Sequence, residues 1–210
     1  MNITDTNILA KSPPKRGQVK ERILRVILSH TNEKLTKYRI MKLAKANISW
    51  VIEFLRVLQS KGLVEGTSIK DYKGLIVYWK KMRIKPESRE YLIQQPLEVL
   101  ENANLQYALT TYYAENLVQK YLFTSRIDVY ISKNDFEIWH KLLSKSGLVG
   151  KGNVRVLVDD EHVFYKSSER AGLKIVSMPQ LIVDLLVEGG PCEEAANMLI
   201  QKEIDNVSKP

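Results

Sequence analysis

Hydrophobic residues change their spacing near residue 63, and this change limits the possible folds more than any other feature of the chain. Between residues 18 and 62 they recur every three or four positions in three blocks, the spacing of helices that bury one face. They then alternate over 63–68 and 75–79, the spacing of short, half-buried strands. The sequence therefore predicts helix, helix, short turn, helix and β-hairpin, in that order.

Residue types at the ends of these blocks fit this order. The first helix covers about 18–30, and Thr36 and Ser49 are suitable N-caps for the second and third helices. Gly62 stands where a left-handed residue ends the third helix. The predicted buried stripe of the third helix consists of Val51, Phe54, Leu55 and Leu58.

Charge is divided unevenly along the chain, although the net charge is only +8. Residues 1–85 contain 13 Lys and 6 Arg against 6 acidic residues, a net +13, whereas residues 86–210 contain 9 Lys and 4 Arg against 18 acidic residues, a net −5. Such asymmetry indicates two modules with different partners, and a strongly basic module most often binds nucleic acid. Solubility alone is the alternative explanation.

The predicted order of elements over residues 18–85 resembles a winged helix-turn-helix DNA-binding domain. The phrase Leu55-x-x-Leu58-x-x-Lys61-Gly62-Leu63-Val64 is similar to the junction of recognition helix and wing in such regulators. In these proteins the start of the second helix of the motif reaches base edges in the major groove of double-stranded DNA. The resemblance implies DNA contacts at Lys37, Arg39, Lys45, Asn47, Ser49, Trp50, Glu53, Arg56, Lys70 and Lys73.

Roles within this set differ. Asn47, Ser49, Trp50 and Glu53 are expected at the groove with Arg56 one turn further, Lys37 and Arg39 against the backbone, and Lys70 and Lys73 at the wing tip. Packing on the wing or a dimer contact is the alternative for Trp50, and solvation without DNA contact is the alternative for Lys37 and Arg56. Some winged helices bind RNA or protein instead.

The second half mixes helical and strand spacing, which makes the fold class α+β. After a short helix at 87–94, we expect a helix or strand-to-helix transition at 107–121, strands at 126–131, 154–158 and 173–176, and helices at 136–148, 179–187 and 191–206. The predicted parts of the whole chain are a basic flexible arm (1–17), a winged helix domain (18–85), a helical connector (86–104) and an acidic α+β domain (105–210).

Three phrases of the second half resemble the C-terminal domain of AbiEi-type antitoxins, the repressor partners in abortive-infection toxin–antitoxin systems. They are Tyr107–Ala114, Arg126–Ile131 and Val176–Leu186, and Thr111 departs from the family by replacing a glycine. The first two also resemble nucleotidyltransferases, which imply a degenerate form of that fold. Those enzymes need a Gly-Ser turn and paired carboxylates for two metals, whereas this chain has Thr110-Thr111 and the single Asp128.

Other catalytic or metal-binding patterns are not expected. Cys192 is the single cysteine, which excludes an intrachain disulfide, and His30, His140 and His162 have no metal-ligand spacing. A solvated turn is the favoured interpretation of 159–162, with a cation site as the alternative. The N-terminal residues lack the apolar core of a secretory signal and no apolar run could span a membrane, so we expect a cytoplasmic protein without cofactor.

These observations lead to one leading hypothesis. The chain is expected to be a sequence-specific DNA-binding transcriptional regulator of the repressor or antitoxin kind, without enzymatic activity. Its second half would contact a cognate toxin or a second copy. The alternatives are a nucleotidyltransferase with a DNA-binding module, and a DNA-binding accessory protein of replication or chromatin.

Overall fold

The computed structural model describes residues 16–207, in which helices and strands combine in an α+β fold. The arm predicted for 1–17 lies outside the described residues, except for Arg16 and Gly17, which begin the first helix. No helix within 16–207 is both long and apolar enough to cross a membrane.

The first part of the fold contains four helices and a small hairpin. These elements are α1 (Arg16–Leu28), α2 (Lys37–Leu43), α3 (Ile48–Ser60), β1 (Val64–Glu65), β2 (Ser68–Ile69) and α4 (Tyr72–Met82). Thr36 caps α2 as predicted, because its side chain accepts a hydrogen bond from Arg39 N at 3.1 Å. The predicted cap of α3 is wrong: Asn47 Oδ1 accepts from Ser49 N at 2.9 Å, so Asn47 is the cap.

The predicted second strand at 75–79 is also wrong, because these residues lie in the middle of α4. Asp71 caps this helix by accepting from Gly74 N at 2.7 Å. Its buried residues, Tyr72, Leu75, Ile76 and Trp79, recur at helical spacing. The single strand predicted at 63–68 is wrong too, because β1 and β2 form a hairpin within this segment that turns at Gly66-Thr67. The predicted positions of Lys70 and Lys73 at the hairpin tip are therefore wrong. Lys70 follows β2, and Lys73 lies in the first turn of α4.

A seven-stranded mixed sheet organises the second part. Its elements are β3 (Glu87–Ile93), α5 (Pro96–Asn102), β4 (Tyr107–Thr110), α6 (Thr111–Gln119), β5 (Ile127–Ser132), α7 (Phe136–Ser146), β6 (Gly147–Val149), β7 (Val154–Asp159), β8 (Ser168–Arg170), β9 (Leu173–Ile175), α8 (Met178–Glu188) and α9 (Pro191–Val207). The strands lie in the order β6-β3-β7-β5-β4-β9-β8. The pairs β5–β7 and β4–β9 are parallel, and the other neighbours are antiparallel.

The predicted short helix at 87–94 is wrong, because these residues form β3 between β6 and β7. The connector predicted as helical at 86–104 therefore contains a strand of the main sheet before α5. The segment after β7 is a 3₁₀ turn, Glu161–Phe164. The predicted strand-to-helix transition is confirmed, with β4 leading directly into α6.

The two faces of the sheet are covered by different parts of the chain. On one face, Tyr107 of β4 packs edge-on against Trp139 of α7. On the other face, the Tyr130 hydroxyl of β5 accepts a hydrogen bond from Arg83, just after α4, and donates one to Asp184 of α8. The buried hydrophobic residues form one cluster that extends from α1 to α9. The helices of the basic half therefore pack directly on the acidic half.

Candidate nucleic-acid interface

All ten residues predicted to contact DNA are exposed at the surface. They lie at the start of α2, in the turn between α2 and α3, on α3, and around the start of α4. Exposure is the minimum condition for a DNA contact, and every member of the set meets it. The set is Lys37, Arg39, Lys45, Asn47, Ser49, Trp50, Glu53, Arg56, Lys70 and Lys73.

Helix α3 has one buried and one exposed face, divided as the sequence predicts. Its buried residues are Val51, Phe54, Leu55 and Leu58. Ser49, Glu53 and Arg56, spaced at i, i+4 and i+7, lie together on the opposite, exposed face. A helix with such an exposed face can enter a groove about 12 Å wide.

Two residues of α3 are engaged with α1. Glu53 forms an ion pair with Arg16. Trp50, 36% exposed, lines a small notch with Val19 and Lys20 of α1. Trp50 therefore packs beside α1, and not on the hairpin. One oxygen of the Glu53 carboxylate is therefore already engaged by Arg16.

The basic candidates differ in how freely their charge is available. Within residues 16–207, the guanidinium of Arg56 has no hydrogen-bond or ion-pair partner. Lys70 Nζ lies 3.4 Å from Glu65 across the hairpin, an exposed pair that contributes little. Lys42 on α2 and Lys61 after α3 are further exposed lysines that the prediction omitted.

The turn between α2 and α3 is held by hydrogen bonds from outside the two helices. His162 Nε2 lies 3.0 Å from Leu43 O, the last carbonyl of α2. Arg22 Nη1 of α1 lies 3.5 Å from Lys45 O, and Arg22 Nε donates to Asp160 at 3.1 Å. Lys45 has a φ of 49°, a left-handed conformation that is costly for a non-glycine residue. Side chains of α1 and of the acidic half thus hold a strained turn.

A buried polar network joins α1 to the acidic half. Arg25 donates to Gln180 Oε1 from Nε at 2.9 Å and from Nη2 at 2.7 Å, and Gln180 Nε2 donates to Asp184 at 2.8 Å. Burial raises the pKa of Asp184, although Arg83 and three hydrogen bonds oppose this rise. The network satisfies polar groups that would be costly to bury alone.

Arg83 is the second centre of this network. Its Nη1 donates to Glu21 at 2.6 Å and its Nη2 to the Tyr130 hydroxyl at 2.7 Å. Asp159 and Asp184 lie 3.4 and 3.6 Å from its nitrogens. Burial raises the pKa of Glu21, while Arg83 opposes that rise. Every one of these partners is distant in sequence, so periodicity gives no signal for the network.

Asp128, the residue expected at a degenerate nucleotidyltransferase-like site, lies fully buried on β5. Arg126 donates to it at 2.7 and 3.2 Å, Arg155 at 2.8 and 3.1 Å, and the Thr111 hydroxyl donates as well. Glu188 bridges the two guanidiniums, with both contacts between 2.7 and 2.8 Å. Both oxygens of Asp128 are therefore occupied by fixed cations of the chain itself.

The remaining residues considered for catalysis or metal binding are mostly engaged in contacts within the fold. Cys192 is buried, and burial raises the pKa of its thiol. Asp159 and Asp160 are partly buried against Arg83 and Arg22, whereas Glu161 in the same turn is exposed, so the turn is solvated only in part. No group of three His, Cys, Asp or Glu side chains in 16–207 could hold a metal ion.

Comparison with known proteins gives no family assignment. The chain matches no protein-family model, no curated protein and no solved structure. The candidate interface therefore depends on the residues and geometry described above.

Proposed function

We propose that this chain is a sequence-specific DNA-binding transcriptional regulator whose helices α1–α3 and hairpin act as a winged helix-turn-helix. The observation that carries the proposal is the exposed face of α3. Ser49 and Arg56 lie on this face. The opposite face of α3 is a buried apolar stripe, and Asn47 caps the start of the helix. A capped, well-packed helix with one polar face fits the major groove of double-stranded DNA.

Charge supports the same partner. The net +13 of residues 1–85 favours a polyanion, and Lys37 and Arg39 at the start of α2 are exposed where a helix-turn-helix meets the DNA backbone. Arg56 is the single arginine on α3 and can grip guanine O6 and N7 with two hydrogen bonds. Arg56 is therefore proposed to read sequence, and the α2 residues to set position.

For the acidic half we propose a contact role without catalysis, as in a repressor or antitoxin that binds a cognate toxin or a second copy. Its net charge of −5 suits a basic protein partner better than DNA. Nucleotidyl transfer is disfavoured because Asp128 is enclosed by Arg126 and Arg155 and has no second carboxylate on its strand. Incubation with labelled nucleotides, Mg²⁺ or Mn²⁺ and candidate acceptors is expected to give no product.

The test of DNA binding uses the full chain and a pool of random-sequence duplexes. Repeated selection from the pool should enrich one sequence, and fluorescence anisotropy then compares that duplex with a scrambled one at several salt concentrations. Affinity for both should fall with salt, with a log–log slope of about −0.9 for each phosphate contact. Failure to enrich any sequence would favour the accessory-protein alternative, and no duplex binding at all would refute the proposal.

Three variants separate contacts that recognise the base sequence from contacts that only bind the DNA backbone. Arg56→Ala should narrow the affinity ratio between selected and scrambled duplex, because one bidentate base contact provides about 1–3 kcal/mol of discrimination. Lys37→Ala should weaken binding to both duplexes alike and reduce the salt slope by about one. Lys141→Ala, at an exposed position of α7 in the acidic half, is the matched control and should change neither.

A further inference from the structure

Residues 160–165, here named the clasp, contact both connections that flank α2. His30, in the connection from α1 to α2, has its Nε2 2.7 Å from the Tyr165 hydroxyl. His162 reaches Leu43 O at the start of the α2–α3 turn. The rings of His162 and Tyr165 stack with centroids 5.0 Å apart, so the two contacts belong to one packed unit.

Hydrogen bonding fixes the direction of the His162 contact. Arg25 can only donate, so His162 Nδ1, 2.9 Å from Arg25 Nη1, must accept. A neutral ring then carries its hydrogen on Nε2 and donates it to Leu43 O. Burial, and next Arg25, lower the pKa of His162 to about 3, which keeps the ring neutral at physiological pH.

The contact has a consequence for α3 because the turn that it holds is short and strained. Three residues, Ala44–Ala46, connect α2 to the cap of α3, and Lys45 among them is left-handed. Such a conformation persists only where the surroundings enforce it. His162 itself is 5% exposed and cannot reach DNA.

We propose that His162 is a positioning residue for α3: through its bond to Leu43 O, the acidic half sets how the recognition helix is presented, so discrimination between DNA sequences depends on a buried residue outside the DNA-binding surface. The inference rests on the proposed function. It assigns to the acidic half a direct part in DNA recognition, in addition to its proposed partner contact.

The test compares three variants of the full chain. His162→Leu removes both hydrogen bonds and keeps an apolar volume. His162→Gln keeps an amide that can donate to Leu43 O and accept from Arg25. Val156→Ala, at a fully buried position of β7 away from the clasp, is the control for general loss of stability.

Three readouts are measured. Hydrogen exchange without DNA should be about tenfold faster in the α2–α3 turn of His162→Leu, since that turn loses a buried hydrogen bond, and should be restored in His162→Gln. The affinity ratio between selected and scrambled duplex should fall about tenfold in His162→Leu only. In wild type, the ¹⁵N shifts of His162 should report the Nε2–H tautomer from pH 7 to pH 5.

The outcomes distinguish the two proposals. A wild-type chain that prefers no duplex overturns the proposed function and this inference with it. A wild-type chain that discriminates, together with His162→Leu that discriminates equally well or a turn that exchanges no faster than in Val156→Ala, overturns the inference alone.

Discussion

At the scale of single residues, the most consequential side chains are buried charges. Asp128, Arg126, Arg155 and Glu188 form a closed box in which each guanidinium bonds to both carboxylates. The sequence indicates a strand with one acidic residue, and that strand is present. It cannot indicate Arg155, because this residue lies on the parallel neighbour β7 and is aligned with Asp128 only by the sheet register.

This box gives a stability prediction. Arg155→Met should lower the free energy of unfolding by about 3 kcal/mol, because removing one partner of a buried ion pair leaves the other uncompensated. Arg155 is about one-fifth exposed, which places the cost at the low end of the range for buried pairs. Urea denaturation measures the change. Arg170→Met, at an exposed site on β8, is the control, and an equal effect in both variants would contradict the prediction.

His162 gives a prediction for pH. Its folded-state pKa of about 3 lies below the ordinary value of 6.5, so the unfolded chain takes up the proton first on acidification. The neutral His162 ring therefore contributes its full stabilisation of the folded state above pH 6.5, and this contribution is lost as the pH falls. Between pH 7.5 and pH 5 the loss should be about 2 kcal/mol.

Glu21 and Asp184, whose pKa values burial raises, also contribute to the pH dependence, so the effect of His162 must be isolated by difference. Arg25, Arg22 and Asp160 face the ring, and the raised pKa of Glu21 or Asp184 acts in the opposite direction. His162→Gln retains all of these groups and cannot take up the proton. The unfolding free energy of wild type should therefore fall more steeply with acid than that of the variant, and parallel pH curves would refute the lowered pKa.

At the scale of elements, hydrophobic spacing predicted helices and strands correctly where an element packs one apolar face against the core. Helices α1 and α3, and the pair β4–α6, match the predicted spacing. Residues 75–79 misled because Ile76, Val77, Tyr78 and Trp79 favour strands individually, whereas the 3.6-residue spacing of Tyr72, Leu75, Ile76 and Trp79 together with the Asp71 cap carries the true signal. For β3 the sequence is helix-compatible, and pairing with β6 and β7 overrides it.

The cap of α3 yields an element-scale prediction. Asn47→Ala should destabilise the chain by about 1 kcal/mol, since it removes the acceptor that satisfies Ser49 N at the start of the helix. Ser49→Ala should change stability by less than about 0.5 kcal/mol, because its exposed side chain makes no cap. Thermal unfolding of both variants at one pH measures the difference. The reverse ranking would restore Ser49 as the cap.

At the scale of the whole molecule, the division into a basic and an acidic half describes charge better than it describes packing. The sign of the net charge distinguishes the two halves, and all the exposed residues proposed to contact DNA lie in the basic half. Composition cannot show that Arg25 and Arg83 of that half are buried against the acidic half. The hydrogen bonds across the interface span 137 and 155 residues for Arg25 and 47 and 76 residues for Arg83, beyond any local pattern.

The shared core leads to the prediction that both halves unfold together. Arg83 bonds to Tyr130 of the sheet and lies 3.6 Å from Asp184 of α8, so opening the interface would leave these buried groups unpaired before either half had melted. Native-state hydrogen exchange in rising urea should therefore give slowly exchanging amides of α3 and β5 the same opening free energy and the same urea slope. Arg83→Met should lower both opening energies equally, whereas Lys81→Met, a neighbouring exposed lysine, should lower neither. Amides of α3 that exchange with a smaller slope than those of β5 would show two independently folding halves, and the position of α3 would then not be set by the sheet.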